Sequence, residues 1–395
     1  MTEHRLEVAD VFRQHEQEFR AQWGHRLSSQ QRRAFRDICA CRTPALGAHS
    51  EQCDSCRQQT IAYNSCRSRF CPKCQSTARD KWLTAQSKQL LPVPYCHVVF
   101  TLPHELSPLA LQNPKLIYGL LFRAVSETLL TIAADPRRLG AQIGYLAVLH
   151  TWSQKMLHHP HLHCLVPAGG LSLDRSRWIA CRGRFFLPVA VLKARFRRRF
   201  LRLLAAAYRQ GKLKLSGRLG SLRKPEAFDR FLRPLKTKKW VLCVKRPFGS
   251  AEHVLKYLAH YTHRMAISNG RLSAVENGQV TFRWRDSADH NAQKIMTLEA
   301  IEFIRRFLMH VLPAGFVKIR HCGLLANRHC QASLALCRSL LHSQQNAAPQ
   351  LVTELHLRAV RRNCPVCQRG TLHIIGWFPP GAGIPPVLPV NMDSS

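Results

Sequence analysis

The stretch His159-Pro160-His161-Leu162-His163-Cys164-Leu165-Val166, followed by Pro167-Ala168-Gly169-Gly170, constrains the fold more than any other. Leu162 to Val166 is short, apolar apart from His163, and stopped by Pro and Gly, which reads as a strand. On a strand alternate residues share a face, so His161 and His163 point the same way. Two neutral imidazoles side by side on a rigid backbone suit a divalent metal. The plainer alternative is a histidine-rich surface turn, since His158 and His159 crowd the same place.

A second stretch gives the pair a partner. Residues 252–264, Glu252-His253-Val254-Leu255-Lys256-Tyr257-Leu258-Ala259-His260-Tyr261-Thr262-His263-Arg264, carry helical periodicity, with Val254, Leu255 and Leu258 as the apolar stripe. Tyr257 and Tyr261 are four apart and stand one turn from each other on one face. Aromatics at that spacing are usually core packing. Here Lys256, His260, His263 and Arg264 surround them, and a cationic setting stabilises a phenolate. A histidine pair on a strand and a tyrosine pair on a basic helix describe metal-assisted attack of a tyrosine on a phosphodiester, leaving a phosphotyrosine link.

These motifs resemble those of the rolling-circle transposases of the insertion-sequence-91 type, within the wider group of nucleases with a His-hydrophobic-His motif. The matching residues are His161-Leu162-His163, Lys256-Tyr257-Leu258 and Tyr261 to Asn269, with Phe100-Thr101-Leu102-Pro103, Phe282-Arg283-Trp284, Ile319-Arg320-His321 and Gly323 to Asn327. An N-terminal cysteine cluster matches as well, and the resemblance spans residues 5–330. It implies a DNA-nicking and strand-transferring enzyme that acts on single-stranded DNA and mobilises an insertion sequence. Tyr257 and Tyr261 are then its nucleophiles, and His161 and His163 hold Mg²⁺ or Mn²⁺. The third ligand is expected at His150 near the end of a neighbouring strand, with Gln154 as the alternative. In the family, histidine usually precedes the second cysteine knuckle; this chain has Phe70 there.

The 59 Lys and Arg against 23 Asp and Glu leave a formal charge of +36, an electrostatic footprint for a polyanion. With 46% hydrophobic residues the chain is nevertheless a folded protein. The N-terminus is densely charged and unlike a signal peptide, and by this reading no apolar run approaches the roughly 18 residues of a membrane span. These features point to a cytoplasmic protein that engages no membrane, in which the 16 cysteines are mostly reduced and clustered ones bind metal; the resemblance implies that it is bacterial and DNA-associated.

Seven cysteines fall between Cys39 and Cys74. Cys53-x2-Cys56 and Cys71-x2-Cys74 have the spacing of one four-cysteine structural Zn²⁺ site. Cys66 joins that cluster or sits with Cys41 and His49 at a second metal. Cys364-Pro365-Val366-Cys367 is a further knuckle without an evident second pair. Between them, the sequence predicts helices over residues 80–91 and 114–134, strands over 95–101 and 144–151, and a hairpin turning at Asn277-Gly278. It also predicts strands over 178–181 and 185–189 and an amphipathic helix over 298–312. A helix over 193–208 carries Arg195, Arg197, Arg198, Arg199 and Arg202 almost without acids, so phosphate contact is expected there and at Arg264.

The chain therefore reads as α+β: helices over residues 1–38, a zinc-binding module over 39–92, a nuclease domain of antiparallel sheet and packed helices over 93–330, and a tail over 331–395. Two other functions share parts of this pattern. A plasmid replication initiator or relaxase uses the same histidine and tyrosine chemistry, though no Gly-x4-Gly-Lys-Ser/Thr helicase loop is present. A zinc-containing DNA-binding regulator would need no catalysis. For any of the three, affinity for nucleic acid should fall by roughly a thousandfold or more between about 50 and 200 mM salt. Fluorescence anisotropy at several salt concentrations measures this, and a flat response contradicts the polyanion reading.

Overall fold

The N-terminal helices are amphipathic because Val8, Val11, Phe12, Phe19, Phe35 and Ile38 recur at helical spacing, and all six are buried. They form α1 (Val8–Gln14), α2 (Glu16–Trp23) and α3 (Ser29–Ala40) in a computed structural model that describes residues 6–181, 187–248, 265–286, 288–344, 363–381 and 390–391. A capping box starts α3: the Ser28 hydroxyl accepts from the Gln31 N–H while the Gln31 side chain accepts from the Ser28 N–H. The apolar faces dock on a distant helix, with the Phe12 ring 5.0 Å from that of Phe35 and 5.3 Å from that of Phe307.

The cysteine-rich module follows as β1 (Ala48–Cys53), β2 (Gln59–Tyr63) and α4 (Gln75–Ser87). This last helix begins earlier than the expected residue 80, because the knuckle ending at Cys74 leads straight into its first turn.

Next come β3 (Tyr95–Thr101), α5 (Ser107–Gln112), α6 (Pro114–Ala134), β4 (Ala141–Gln142), β5 (Gly144–Trp152), β6 (His158–Pro167), β7 (Gly169–Ser172) and β8 (Trp178–Ala180). They are followed by α7 (Val189–Arg209), α8 (Pro225–Thr237), β9 (Leu242–Phe248), β10 (Leu272–Glu276), β11 (Gln279–Asp286), β12 (Ala292–Glu299) and α9 (Ala300–Leu308). The last elements are β13 (Ile319–Gly323), α10 (Cys330–Gln344), β14 (Leu372–Phe378) and β15 (Val390–Asn391). The central sheet has the order β13-β5-β6-β3-β9, and every neighbouring pair is antiparallel.

One face of this sheet carries the core. Leu162, Cys164 and Val166 of β6 and Phe100 of β3 are fully buried there with Leu121 and Val125 of α6 and Phe196 of α7. The Phe100 and Phe196 rings meet edge to face at 5.0 Å. Contrary to the sequence expectation, α6 is long and apolar enough to cross a membrane by length and composition alone. Its apolar surface is instead mostly buried in this core.

Four local expectations need correction. Gly169 and Gly170 do not break the chain but start β7; a Cβ on Gly169 would lie 2.6 Å from the Trp178 ring, and one on Gly170 would lie 2.3 Å from the Gln142 carbonyl oxygen. Their role is close strand approach. The helix expected over 298–312 begins at Ala300, because the residues before it form β12 against β11. Of the strand expected over 185–189, residues 185 and 186 lie outside the described residues and Val189 already opens α7. Helix α10 occupies the start of the stretch that reads from sequence only as a tail over 331–395. The hairpin turn is as expected, with positive φ at Asn277 (51°) and Gly278 (72°), the signature of a type I′ turn.

Leu162 is 0% exposed between the two histidines of β6. Leu162→Ala should cost about 3 kcal/mol by lost burial and cavity formation. A urea midpoint unchanged from the parent would show that the strand is not anchored through its core face.

Candidate metal centre

Antiparallel register decides which histidines meet. On β6, His161 and His163 take the face opposite Leu162, and β5 lays His150 directly across from His161. One ring nitrogen from each of His150, His161 and His163 lies within 4.8 Å of the others. The ring centroids are 4.5 Å apart for His150–His163, 4.8 Å for His161–His163 and 5.4 Å for His150–His161. Gln154, the alternative third ligand, sits in the turn between the two strands.

Hydrogen bonds aim these rings. His161 Nδ1 donates to the His159 carbonyl oxygen at 2.6 Å, which leaves Nε2 as the lone-pair nitrogen. His163 Nδ1 lies 2.9 Å from Nε2 of His97 on β3, and the two rings stack at 5.1 Å. Burial holds the His161 imidazole down at about 4 and that of His163 well below its usual range, helped by neighbouring His150, His161 and His97. Both rings are therefore neutral near pH 7, the form that ligates metal. His97 escaped sequence reasoning, although its parity on a strand beside β6 was the available signal. His158, by contrast, alternates onto the core face, where it meets the Tyr118 hydroxyl at 2.9 Å.

The histidine face is partly roofed by the cysteine-rich module. Trp82 and Leu83 of α4 pack over Tyr95, Leu146, Val148 and Leu165, the apolar residues that share this face with the histidines. At the other end, the β5–β6 turn is fixed by three separate groups. His310 bonds the Met156 carbonyl at 3.1 Å, Arg271 donates to the Gln154 carbonyl at 2.6 Å, and Arg306 donates to that of Lys155 at 3.2 Å. Met156 is fully buried at φ 57°, a conformation that the packing imposes.

The cysteines group differently from the sequence expectation. Cys53, Cys56, Cys71 and Cys74 do not share one site: Cys71 and Cys74 stand with Cys41 and Cys66, while Cys53 and Cys56 stand with Cys364 and Cys367. The reason is the β1–β2 hairpin, whose tip is the Cys53–Cys56 knuckle. Its open end lies about five residues or 17 Å back along the strands. There Arg42 N–H donates to the Asn64 carbonyl, so Cys41 and Cys66 come together. In this first cluster Cys74 Sγ is 3.5 Å from that of Cys41 and 3.6 Å from that of Cys66. His49 is not a member; its ring nitrogens meet Asn64 and Glu51, each at 3.1 Å. Phe70 is buried, with Arg69 over its ring.

Tyr257, Tyr261 and Arg264 lie outside the described residues, which run to Phe248 at the end of β9 and resume at Met265. Both flanks are anchored: β9 pairs with β3, placing Lys245 opposite His97, and Met265, Ala266 and Ile267 are buried in the main core. The arginine helix α7 covers the core face, not the histidine face. Its cations also divide. Arg199 pairs with Glu127 and Arg197 donates to the Lys238 carbonyl, whereas Arg195, Arg198 and Arg202 form an exposed stripe.

Comparison with known proteins adds to this geometry. Residues 11–102 match the family model described as "Transposase zinc-binding domain", and residues 144–333 match the one described as "Putative transposase". The chain is 51% identical over 388 residues to "Putative transposase y4qJ" of Sinorhizobium fredii (strain NBRC 101917 / NGR234), covering 96% of this chain and 97% of the relative. It is 30% identical over 301 residues to "Transposase for insertion sequence element IS801" of Pseudomonas savastanoi pv. phaseolicola, covering 74% of this chain and 70% of that protein. No solved structure matches the chain.

The buried His310 that fixes the β5–β6 turn is held down at about 4, by burial above all. The unfolded chain binds that proton near pH 6.5, so stability is full above this pH and is lost as pH falls toward 4. Between pH 7 and 5 one such group costs about 2 kcal/mol. Urea melts of the His310→Phe variant should show a shallower acid dependence than the parent by about that amount; equal slopes would contradict the assignment.

Proposed function

The chain belongs to the insertion-sequence-91 family of transposases, with an N-terminal zinc-binding domain, and on that premise we propose that it nicks single-stranded DNA through a phosphotyrosine intermediate and mobilises its element by rolling-circle transfer. What carries this reading is the convergence of three histidine rings on adjoining strands, two strands from β9, which leads into the tyrosine-bearing residues. The transposase relative spanning 96% of the chain favours it over a replication initiator or a regulator without catalysis.

Three neutral imidazoles fit Mn²⁺ better than Mg²⁺, which prefers oxygen ligands. When bound, the cation draws electron density from the scissile phosphate. His150, His161 and His163 are its proposed protein ligands, and His97 is a positioning residue that holds the His163 ring. The hydroxyl oxygen of Tyr257 or Tyr261 attacks phosphorus and loses its proton; the new tyrosine–phosphate bond replaces the bond to the 3′ oxygen, which leaves as a 3′ hydroxyl after gaining a proton. Lys256, His260, His263 and Arg264, all close in sequence, stabilise the phenolate. With two nucleophiles the protein holds one DNA end while accepting another.

Cys41, Cys66, Cys71 and Cys74 are the proposed ligands of the zinc of the family's domain; all four lie within the matched residues 11–102 and stand together. The exposed stripe Arg195, Arg198 and Arg202 is proposed to contact phosphates on a face away from the cleavage centre.

Denaturing electrophoresis after incubation with labelled single-stranded DNA and Mn²⁺ tests the chemistry. The parent should carry covalent label, and Tyr257→Phe with Tyr261→Phe should abolish it while leaving DNA binding intact. Label surviving in that double variant rules out both tyrosines. His161→Ala with His163→Ala should slow nicking at least about a hundredfold, and His97→Ala should weaken Mn²⁺ binding roughly 10- to 100-fold with activity recovered at high Mn²⁺. Parental nicking by the histidine double variant places the centre elsewhere.

A further inference from the structure

The second group of four cysteines is left unexplained by the catalytic reading. Cys53 and Cys56 form the tip of the β1–β2 hairpin, and Cys364 and Cys367 come from a segment beyond both residue ranges matched to the transposase families. We propose that these four cysteines bind a structural Zn²⁺ that fastens residues 363–378 onto the N-terminal module.

The spacing of the sulfurs fits. Cys53 Sγ is 3.7 Å from that of Cys367, and Cys56 Sγ is 3.6 Å from that of Cys364. A tetrahedral zinc with Zn–S bonds of about 2.3 Å needs sulfurs roughly 3.8 Å apart. All four are thiols, and none is in a disulfide.

The two knuckles also have the same internal build. In each, the residue after the second cysteine has positive φ, 60° at Arg57 and 57° at Gln368. In each, that residue's N–H returns to the carbonyl of the first cysteine: Arg57 to Cys53 at 3.1 Å and Gln368 to Cys364 at 2.8 Å. Backbone N–H groups also point at sulfur, from Ser55 and Cys56 to Cys53 and from Gly370 to Cys367, each at 3.4 Å. Such bonds stabilise thiolates and orient them toward an ion. The knuckles abut closely: a Cβ on Gly370 would lie 2.3 Å from Cys53 Sγ, and Asp54 accepts from the Thr371 N–H at 2.8 Å.

Burial does little to hold this junction. Six residue pairs join β14 to β1, yet Ile374, Ile375 and Trp377 of β14 remain 49%, 51% and 66% exposed. A strand that leaves its large side chains in water gains little hydrophobic stabilisation, whereas metal ligation contributes folding free energy directly. The ligand set prefers a thiophilic divalent ion, and zinc is the one with no geometric or redox demand of its own.

Cobalt substitution of the full chain separates this site from the histidines, because thiolate-to-cobalt charge-transfer absorption reports only cysteine ligation. The parent should show the absorption of two four-thiolate sites, and Cys364→Ser with Cys367→Ser should halve it while Mn²⁺ binding at the histidines is unchanged. Unchanged absorption in that variant overturns the proposal. A second measurement does not depend on how the variant folds. With a protease site placed between residues 345 and 362 and cut under native conditions, the released C-terminal fragment should stay bound with zinc present and dissociate when a chelator removes it. A fragment that leaves despite bound zinc, or remains after zinc is stripped, contradicts a metal clasp.

Discussion

The register of β6 between β5 and β3 is the constraint on which the rest of the structure depends. Because strand side chains alternate, a single residue pattern serves two purposes. Leu162, Cys164 and Val166 bind the sheet to α6 and α7, while His161 and His163 are presented opposite. A slip of one residue would bury the imidazoles and expose the leucine. The pinned β5–β6 turn guards against this, because Arg271 reaches it from just before β10 and Arg306 and His310 reach it from the end of α9.

The zinc-binding module is built into this arrangement and is not a separate appendage. Its helix α4 supplies Trp82 and Leu83 to the histidine face, and Gln86 meets His321 of β13 at 3.0 Å. Cys74 is the N-cap residue of that helix, so zinc held as proposed by Cys41, Cys66, Cys71 and Cys74 would also fix the helix start. The cysteine cluster and the histidine face are thus mechanically linked through α4, although the two groups share no atom.

Local pattern revealed much of this. The strand that carries the histidines, the neighbouring strand that ends near His150, the long core helix and the Asn277-Gly278 hairpin follow from alternation, helical periodicity and turn chemistry over a few residues. What stayed hidden was partnership across distance. Spacing between Cys56 and Cys71 suggested one site, but spacing does not reveal that a hairpin consumes the intervening residues and carries the two knuckles apart. Cys364 and Cys367 lacked a visible pair because their neighbours are more than three hundred positions earlier. His97 looked like an ordinary strand residue until register set it beside His163. The arginine run of α7 read as one cationic face, whereas helix geometry and Glu127 divide it.

The pairing of β1 with β14 has a consequence for how the molecule is made. A ribosome delivers residues 48–63 some three hundred positions ahead of residues 363–378, so the N-terminal hairpin lacks its outer strand throughout that interval. That strand edge, with Glu51 and His49 near it, waits for its partner until residues 372–378 emerge. Such non-local closure slows folding. A copy interrupted by a premature stop between residues 345 and 362 would retain the histidine strands but have no β14 to pair with β1.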